Sequence, residues 1–565
     1  MDIFSQIGLM FIIAAAGAFF AKLFRQPLIP AYIIAGILIG PVFGLIESSE
    51  VIRTMSEIGI AFLLFVVGLE MNIKKLKDTG FFAGIGGTMQ MAFVFLIGFG
   101  IALLLGFMRI EAVYIGFIVA FSSTMVVVKL LSDRREIDTL HGRIIIGILL
   151  MQDIIALFVI SILGTPNGFS LTMILISIAE GIGLIILAYL CSRFVFPSMF
   201  KFGAKSQELL FLLSLAVVFI FSIALSYLGF SIVIGAFIAG LSLANLPYHF
   251  EIMGRVKSLK DFFATLFFVS LGIELVLVGL QHLILPLVIF TIVVLLIKPF
   301  ILMVISAVAR YTKRNSFLTA ISLAQISEFS LIIVSQGLIV GHISRDLFSL
   351  TILLAIVTIT ATSYLMNFEL KIFNFFSKYL TPFDIAATTE QLQYIPEELE
   401  YDFILVGYDR IGYNIFKMLD KAKKSFLVID FNPDIVKRLA SKKIPCFYGD
   451  IGDPEILDRL NLKKTEIVVS TVPGVEDNIH LLKRVKGENP KILVFVTASV
   501  IEDALKLYKE GADYVILPHF LGGERVSNLL EDVKGDAKKL NLAKLEHIDD
   551  LKSRIELEHE HPGGA

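Results

Sequence analysis

Gln152 and Asp153 are the residues of this chain whose chemistry and surroundings point most directly to a function. They lie in the apolar stretch Ile144 to Leu163, which is long enough to cross a bilayer. A carboxylate is costly in hydrocarbon, so an intramembrane acid is by default a functional-site hypothesis. Asp153 follows Arg143 by roughly 15 Å of helix, too far for its short side chain to reach the membrane surface. We expect Asp153 to hold either a proton or a small cation, with Gln152 adding an amide oxygen; the alternative is a satisfied pair between helices.

Polar residues also interrupt two other apolar stretches. One contains Phe121 to Thr124, and the other contains Gln325 to Glu328. The functional interpretation is two interrupted helices that cross, with freed carbonyls and hydroxyls facing a cation. The alternative is unbroken helices whose Ser and Thr side chains bond back to their own backbone. The candidate ion-binding residues of these stretches are Ser122, Ser123, Thr124, Ser327 and Glu328.

An internal repeat relates the two halves of the apolar region. Tyr32 to Pro41 (YIIAGILIGP) matches Ala236 to Asn245 (AFIAGLSLAN), and Phe62 to Glu70 (FLLFVVGLE) matches Leu266 to Glu274 (LFFVSLGIE). Both matches have the same offset of 204 residues, and this offset also relates the two polar interruptions. Seven predicted spans fall within the offset, so the second copy is expected to be inverted. Inverted repeats with a site at the membrane midplane are typical of secondary transporters.

Lys298, Glu70, Glu274 and Glu180 are further charged residues of the predicted spans. Lys298, beside Pro299, is predicted to act in the core as a counter-ion or latch, and snorkelling to the surface is the alternative. Glu70 and Glu274 end equivalent spans and are predicted to be interfacial or capping. No role is predicted for Glu180.

Composition defines the class of protein. Of the 565 residues, 56% are hydrophobic, which indicates a polytopic membrane protein. Lysine and arginine accumulate in alternate loops, so the positive-inside rule places the N-terminus outside and the C-terminal domain in the cytoplasm. Residues 1–24 are read as a first span because they lack the features of a signal peptide. Thirteen transmembrane helices are predicted, at about 3–24, 28–46, 56–72, 80–107, 111–131, 143–164, 170–196, 207–228, 230–246, 261–280, 283–309, 316–341 and 346–370.

The C-terminal part alternates strand and helix patterns, which predicts an α/β Rossmann-like domain with a doubly wound sheet. Its first turn resembles a dinucleotide fingerprint, but Asp409 replaces the middle glycine and would repel a pyrophosphate. The turn therefore leaves the ligand open: a mononucleotide such as AMP or ADP is as plausible as NAD(H), and a domain without any ligand remains an alternative. The candidate nucleotide-binding residues are Gly407, Asp409, Arg410, Ile411, Gly412, Asp430 and Asp450.

These motifs resemble the Kef-type potassium/proton branch of the monovalent cation:proton antiporter-2 family. The resemblance rests on Ser122 to Thr124, the Gln152-Asp153 pair, Lys298, and Gln325 to Phe329. It implies a homodimer and a mobile core bundle of spans 4–6 and 11–13. The C-terminal domain resembles the TrkA-N or RCK regulator of potassium conductance, which implies regulation by an adenine nucleotide.

We therefore expect a membrane transporter and not an enzyme. The predicted domains are 1–375 (transmembrane exchanger), 376–400 (linker), 401–535 (regulatory domain) and 536–565 (charged tail). The predicted activity is electroneutral exchange of a monovalent cation, K⁺ favoured, for H⁺ across the plasma membrane. The alternatives are Na⁺/H⁺ exchange and a ligand-gated K⁺ efflux channel, although the chain lacks a carbonyl filter such as TVGYG. The expected partners are membrane lipid, a second copy and a regulatory nucleotide, and no nucleic acid.

Overall fold

The computed structural model divides the chain into two compact units, Met1–Ala387 and Thr388–Ala565. The structure describes residues 2–24, 26–46, 50–70, 80–133, 140–163, 183, 186, 188–227, 232–244, 246–276, 280–309, 311–383, 393–394, 401–408, 411–430, 433–449, 451, 456, 462, 464–533, 544 and 547–548. Glu180 and the predicted tail from residue 549 onwards lie outside these ranges.

The first unit is helical throughout its described part. Its α-helices are α1 (Ile3–Leu23), α2 (Leu28–Ile37), α3 (Glu50–Glu70), α4 (Gly80–Leu104), α5 (Arg109–Ala120), α6 (Thr124–Asp133), α7 (Leu140–Leu163), α8 (Phe196–Gly203), α9 (Gln207–Tyr227), α10 (Ile232–Leu243), α11 (His249–Ile273), α12 (Ile284–Ile292), α13 (Lys298–Val308), α14 (Lys313–Ser322), α15 (Glu328–Val340), α16 (Arg345–Asn367) and α17 (Glu369–Phe376). Short π-helical turns extend α2 over Leu38–Val42 and join α12 to α13 over Val293–Ile297.

Eight helical segments of the described chain are long and apolar enough to cross a membrane, and three shorter apolar helices accompany them. The class prediction of a polytopic helical membrane protein is therefore confirmed. Most of the predicted seventh span, 170–196, lies outside the described ranges, so the count of thirteen stays a prediction.

Both predicted interruptions are present. The first separates α5 from α6 at Phe121 to Ser123, and the second separates α14 from α15 at Leu323 to Ser327. Phe121 has extended backbone angles (φ −72°, ψ 150°), as does Ser327 (φ −97°, ψ 159°). Ser327 then caps α15 by accepting a hydrogen bond from the Phe329 N–H, so the polar residues that marked the interruption also restart the helix.

The glycines of the repeat lie at two equivalent helix contacts. A Cβ on Gly36 would overlap the Val269 carbonyl oxygen, and one on Gly272 would overlap that of Ile33, which joins α2 to α11. The same offset relates this contact to a second one, between α3 and α10.

In that second contact, a Cβ on Gly68 would overlap the Phe237 carbonyl oxygen, and one on Gly240 would overlap that of Phe65. Small residues let membrane helices approach to backbone contact. Each half thus packs its glycine helices against the other half, as expected for a structural repeat.

The second unit is built on a seven-stranded sheet of order β1-β4-β3-β2-β5-β6-β7. All strand pairs are parallel except the edge pair β1–β4, and β1 lies in the segment predicted to be a linker. This order confirms a doubly wound fold whose switch point lies between β2 and β5. The elements are β1 (Gln393–Tyr394), β2 (Phe403–Val406), α18 (Ile411–Lys421), β3 (Phe426–Asp430), α19 (Pro433–Ser441), β4 (Cys446–Tyr448), β5 (Ile467–Ser470), α20 (Val475–Glu488), β6 (Leu493–Thr497), α21 (Ile501–Lys509), β7 (Tyr514–Ile516) and α22 (Pro518–Val533).

Candidate ion-binding site

The two helix breaks lie against each other in the interior of the first unit. The Ser122 hydroxyl donates to the Leu323 carbonyl oxygen at 3.0 Å, and the Gln325 amide donates to the Ser123 carbonyl oxygen at 3.4 Å. Ser122, Ser123 and Gln325 are all buried. Each break thus binds a backbone oxygen of the other break through a side chain, so the two predicted interruptions are in direct contact.

Lys298 forms hydrogen bonds to both helix breaks. Its buried Nζ donates to the Phe121 carbonyl oxygen at 2.7 Å and to the Gln325 carbonyl oxygen at 2.8 Å. Phe121 and Gln325 are equivalent positions of the repeat, so one ammonium group binds the same atom in both halves. Charge-assisted hydrogen bonds of this kind are stronger than neutral ones. The side chain therefore acts in the core and does not reach towards the membrane surface.

Asp153 belongs to α7 and lies against the start of α6. Its carboxylate is buried, and the Thr124 hydroxyl is 3.0 Å from each of its two oxygens. Thr124 is the first residue of α6, where the helix dipole favours a negative charge. The structure thus brings together the acid and the hydroxyl that the sequence singled out separately.

Gln152 binds the first break and a residue of another helix. Its Oε1 accepts a hydrogen bond from the Ser122 N–H at 2.9 Å, a group that the first break leaves without a helical partner. Its Nε2 donates at 2.7 Å to Oε1 of Gln90, a buried residue of α4. Gln90 Nε2 in turn donates to the Ala120 carbonyl oxygen at 3.4 Å. The Gln152 amide therefore holds the first break, and its role as an ion ligand stays a prediction.

Gln90 was missed in the sequence analysis. The available signal was its type, because it is the one amide side chain within the apolar helix α4. Its partners are distant in sequence, so nothing in its own neighbourhood indicated what it binds.

The second break is held in an equivalent way by hydroxyl groups. The Ile326 N–H donates to the Thr358 Oγ1 at 3.3 Å, and the Thr362 hydroxyl donates to the Ala324 carbonyl oxygen. Ile326 and Ala324 are the repeat equivalents of Ser122 and Ala120. Two threonines of α16 thus bind the backbone of the second break, as Gln152 and Gln90 bind that of the first.

Glu328 brings a second buried carboxylate to the start of α6. Its Oε1 accepts from the Met125 N–H at 3.4 Å, and its Oε2 accepts from the Ser327 hydroxyl at 3.4 Å. Met125 follows Thr124, so the acids of the two halves contact adjacent residues of α6. No lysine, arginine or histidine of the described chain forms an ion pair with Glu328, so helix N–H and hydroxyl donors are what stabilise it.

The candidate nucleotide site lies in the second unit, at the carboxyl end of β2. Gly407 has φ +84°, which favours glycine, and its α-hydrogens face the Thr471 hydroxyl. A Cβ on Gly412 would overlap the Gly407 carbonyl oxygen, so both glycines have the packing roles expected of a fingerprint. Ile411 begins α18, and the buried Asp430 accepts the Tyr408 N–H at 2.7 Å.

Asp430 therefore orders the turn at the position where a ribose-binding acid would lie. Three further predicted residues of this site lie outside the described part of the chain: Asp409, Arg410 and Asp450.

Helices that break and cross beside a buried acid, within a repeat, are the architecture of a secondary ion transporter. Comparison with protein families agrees, since residues 8–367 match "Sodium/hydrogen exchanger, transmembrane" and residues 403–518 match "TrkA-N domain". The chain belongs to the sodium/hydrogen exchanger family, and its resemblance to the Kef-type branch with a C-terminal TrkA-N domain is confirmed. It is therefore a cation/proton exchanger by family.

Relatives of known name extend over most of the chain. The glutathione-regulated potassium-efflux system protein KefC of Escherichia coli O81 (strain ED1a) is 26% identical over 493 residues, covering 85% of this chain and 77% of KefC. KefC of Escherichia coli O139:H28 (strain E24377A / ETEC) is 27% identical over 494 residues, with the same two coverages. The sodium proton antiporter MjNhaP1 of Methanocaldococcus jannaschii has a similar fold, with a TM-score of 0.50 and 17% identity over 68% of this chain and 97% of MjNhaP1.

Proposed function

We propose that this protein exchanges a monovalent cation, with K⁺ favoured, for H⁺, and that an adenine nucleotide bound to its C-terminal unit regulates the exchange. The observation that carries the proposal is the pairing of the buried Asp153 carboxylate with the Thr124 hydroxyl at a helix break. An acid, a hydroxyl and freed backbone oxygens in one place are suited to replace the water around a small cation.

The mechanism is competition for Asp153. A proton and a cation require the same carboxylate oxygens, so binding of one releases the other. Three hydroxyl residues border the site: Thr124, Ser123 and Ser122. Lys298 and Glu328 hold the two helix breaks together. One carboxylate that carries one proton in one direction and one monovalent cation in the other moves no net charge.

The choice of K⁺ is supported by the KefC relatives, whose names describe potassium efflux. Na⁺ is the second candidate, because the family description and the MjNhaP1 neighbour both name sodium. Hydroxyl and carboxylate oxygens suit either ion.

The arrangement in the cell follows from the same proposal. The protein is a multi-pass protein of the plasma membrane, with its N-terminus outside and the TrkA-N domain in the cytoplasm. It forms a homodimer through both units, surrounded by lipid, and its core bundle of spans 4–6 and 11–13 moves relative to the dimer interface. AMP, ADP or NAD(H) is the regulator.

Proton-coupled flux in proteoliposomes tests the proposal. Purified protein is reconstituted with a pH-sensitive dye inside the vesicles, and K⁺ or Na⁺ is added outside. We expect internal alkalinisation with both ions at high concentration and a lower half-saturating concentration for K⁺. A lower value for Na⁺ would favour the sodium alternative. Cation flux without proton movement would overturn exchange and favour a channel.

A further inference from the structure

We propose that Gln90 is a positioning residue of the exchanger: it fixes the Gln152 amide on the first helix break, which keeps the Gln152 Oε1 away from the cation and Thr124 in place beside Asp153. The inference rests on the proposed function, because it concerns the same ion site. Gln90 itself does not touch Asp153 or Thr124 through any hydrogen bond of the described chain.

The hydrogen bonds around Gln90 form a relay that begins and ends on one break. The Ser122 N–H donates to Gln152 Oε1, Gln152 Nε2 donates to Gln90 Oε1, and Gln90 Nε2 donates to the Ala120 carbonyl oxygen. Ala120 and Ser122 flank Phe121, the first residue of the break. The relay therefore satisfies one donor and one acceptor that the broken helix leaves free.

The backbone ends of this relay set its direction, and Gln90 joins the Gln152 amide to the Ala120 end. A buried amide has a donor end and an acceptor end, and rotating Gln152 by half a turn would place its NH₂ group against the Ser122 N–H. Gln152 is adjacent in sequence to Asp153 and has a flexible side chain, so its own helix does not fix its amide. Gln90 fixes it by accepting the Nε2 hydrogen at 2.7 Å.

In the second half of the repeat, the helix break is bound without a relay of this kind. There the equivalent donor and acceptor are bound by Thr358 and Thr362, which lie on one helix. The Thr358 hydroxyl also donates to the Leu354 carbonyl oxygen of its own helix at 2.8 Å, so its orientation needs no outside partner. The first half uses two longer side chains from two helices, and only the first half has the Asp153 site beside it.

Loss of Gln90 should therefore lower cation affinity and leave the maximal rate largely intact. Without its partner, the Gln152 amide is free to turn, the Ser122 N–H loses its acceptor, and the start of α6, where Thr124 meets Asp153, is less well fixed. For Gln90→Met, which has a similar size but cannot form these hydrogen bonds, we expect a KM for K⁺ at least about five-fold higher than that of the parent protein, since one lost hydrogen bond of about 1 kcal/mol corresponds to this factor.

A double-mutant cycle tests whether Gln90 acts through Gln152. KM for K⁺ and the maximal rate are measured in proteoliposomes for Gln90→Met, Gln152→Met and the double variant. If the inference is right, the double variant has the KM of Gln152→Met alone. Two effects that multiply would show that Gln90 acts independently of Gln152 and would overturn the inference.

Two further variants guard against a simple folding defect. Gln90→Glu keeps an acceptor for Gln152 Nε2 but loses the donor to the Ala120 carbonyl oxygen, so its KM should lie between those of the parent and Gln90→Met. Thr88→Val removes a polar group from the same helix, where Thr88 bonds only the Gly84 carbonyl oxygen, and should leave KM unchanged. A Gln90→Glu variant as impaired as Gln90→Met would contradict the positioning role.

A binding measurement that does not depend on transport distinguishes failure of the proposed function from failure of the inference on Gln90. The rise in melting temperature of detergent-purified protein with added K⁺ should be smaller for Gln90→Met than for the parent. If the parent shows neither exchange nor a K⁺-dependent shift, the proposed function fails. If the parent shows both and Gln90→Met matches it, the inference on Gln90 fails alone.

Discussion

Lys298 places one positive charge between two backbone oxygens that the repeat makes equivalent. The Phe121 and Gln325 carbonyls are both freed by helix breaks, and without a donor each would be a buried polar group with no partner. Such a group costs about 1–3 kcal/mol. The lysine therefore contributes to stability at a point where one side chain binds both halves of the repeat.

Replacing Lys298 by Met removes this shared donor. We expect a clear fall in the melting temperature of the detergent-purified protein, because both carbonyl oxygens lose their partner. The control is Lys22→Met, the same change at an exposed lysine near the end of α1. Equal melting temperatures for the two variants would show that the Lys298 hydrogen bonds add nothing to stability.

Asp153→Asn removes the titrating group and keeps its shape. An asparagine oxygen still accepts the Thr124 hydroxyl, so we expect normal insertion and folding but loss of cation/proton exchange at every pH. The measurement is dye-monitored exchange in proteoliposomes, with Asp261→Asn, at an exposed aspartate of α11, as the matched control. Substantial exchange by Asp153→Asn would remove Asp153 as the transport site.

Residue types predicted part of the site. An acid inside a span is exceptional enough for Asp153 to be recognised, and a run of hydroxyls inside an apolar stretch identified Ser122 to Thr124. The partner of an amide is not encoded next to it, so the link of Gln152 to Gln90 could not be predicted. The same holds for the two oxygens bound by Lys298, although its core position was expected.

At the scale of elements, the interruptions were predictable because the residues that end one helix also begin the next. Ser327 accepts the Phe329 N–H, and Thr312 in the same way caps α14 by accepting the Asn315 N–H. The π-helical turns were not predicted. Val293–Ile297 is a uniformly apolar segment, VVLLI, so its change of helical pitch has no signature in residue type.

The glycine contacts between the halves give an element-scale prediction. Gly36→Ala and its repeat equivalent Gly240→Ala each introduce a methyl group that overlaps a backbone oxygen of the facing helix. We expect each to lower the free energy of unfolding by about 1–3 kcal/mol, the usual effect of overpacking.

Gly100 of α4 provides the control for these two variants, because a Cβ there meets no atom within 4 Å. Gly100→Ala should be neutral or slightly stabilising, since alanine favours a helix more than glycine does. Thermal unfolding in detergent measures all three variants. Similar melting temperatures for Gly36→Ala and Gly100→Ala would show that the α2–α11 contact tolerates a side chain.

At the scale of the whole molecule, the ligand of the C-terminal unit is open to a direct test. In the sequence, Asp409 replaces the fingerprint glycine that lets the backbone approach a pyrophosphate, so AMP or ADP should raise the melting temperature more than NAD at matched concentration. Thermal shifts of the purified full-length protein measure this, with Asp409→Gly as the matched variant, in which NAD should gain. A larger shift with NAD in the parent protein would show that Asp409 does not exclude the dinucleotide.

Charge balance is the second prediction for the whole molecule. With Asp153 as the single carrier and Lys298 charged throughout, exchange should be one-for-one and indifferent to membrane potential. Antiport rates in proteoliposomes are recorded under clamped potentials, with electrode current measured in parallel. Rates that follow the potential would identify a second proton carrier, with Lys298 as the first candidate, and Gln152→Asp should then add to the current.

The division into an apolar helical unit and an α/β unit was predictable, because composition and periodicity change along the chain. The doubly wound sheet was predictable from the alternation of strands and helices, with β1 as the exception. β1 has only two residues, Gln393 and Tyr394, and it pairs with Phe447 and Cys446, which come much later in the chain. So short a strand has no pattern of its own to recognise.

The reciprocal glycine contacts also set an order of events during synthesis. Gly36 and Gly68 lie in helices made early, whereas the backbones they touch, at Gly272 and Gly240, leave the ribosome much later. Until then the glycine faces of α2 and α3 can contact only lipid or the translocon. The nascent first half therefore cannot reach its final packing alone. A chain that stops short of α10 leaves the glycine faces of both α2 and α3 in the membrane without the backbones that they contact in the finished protein.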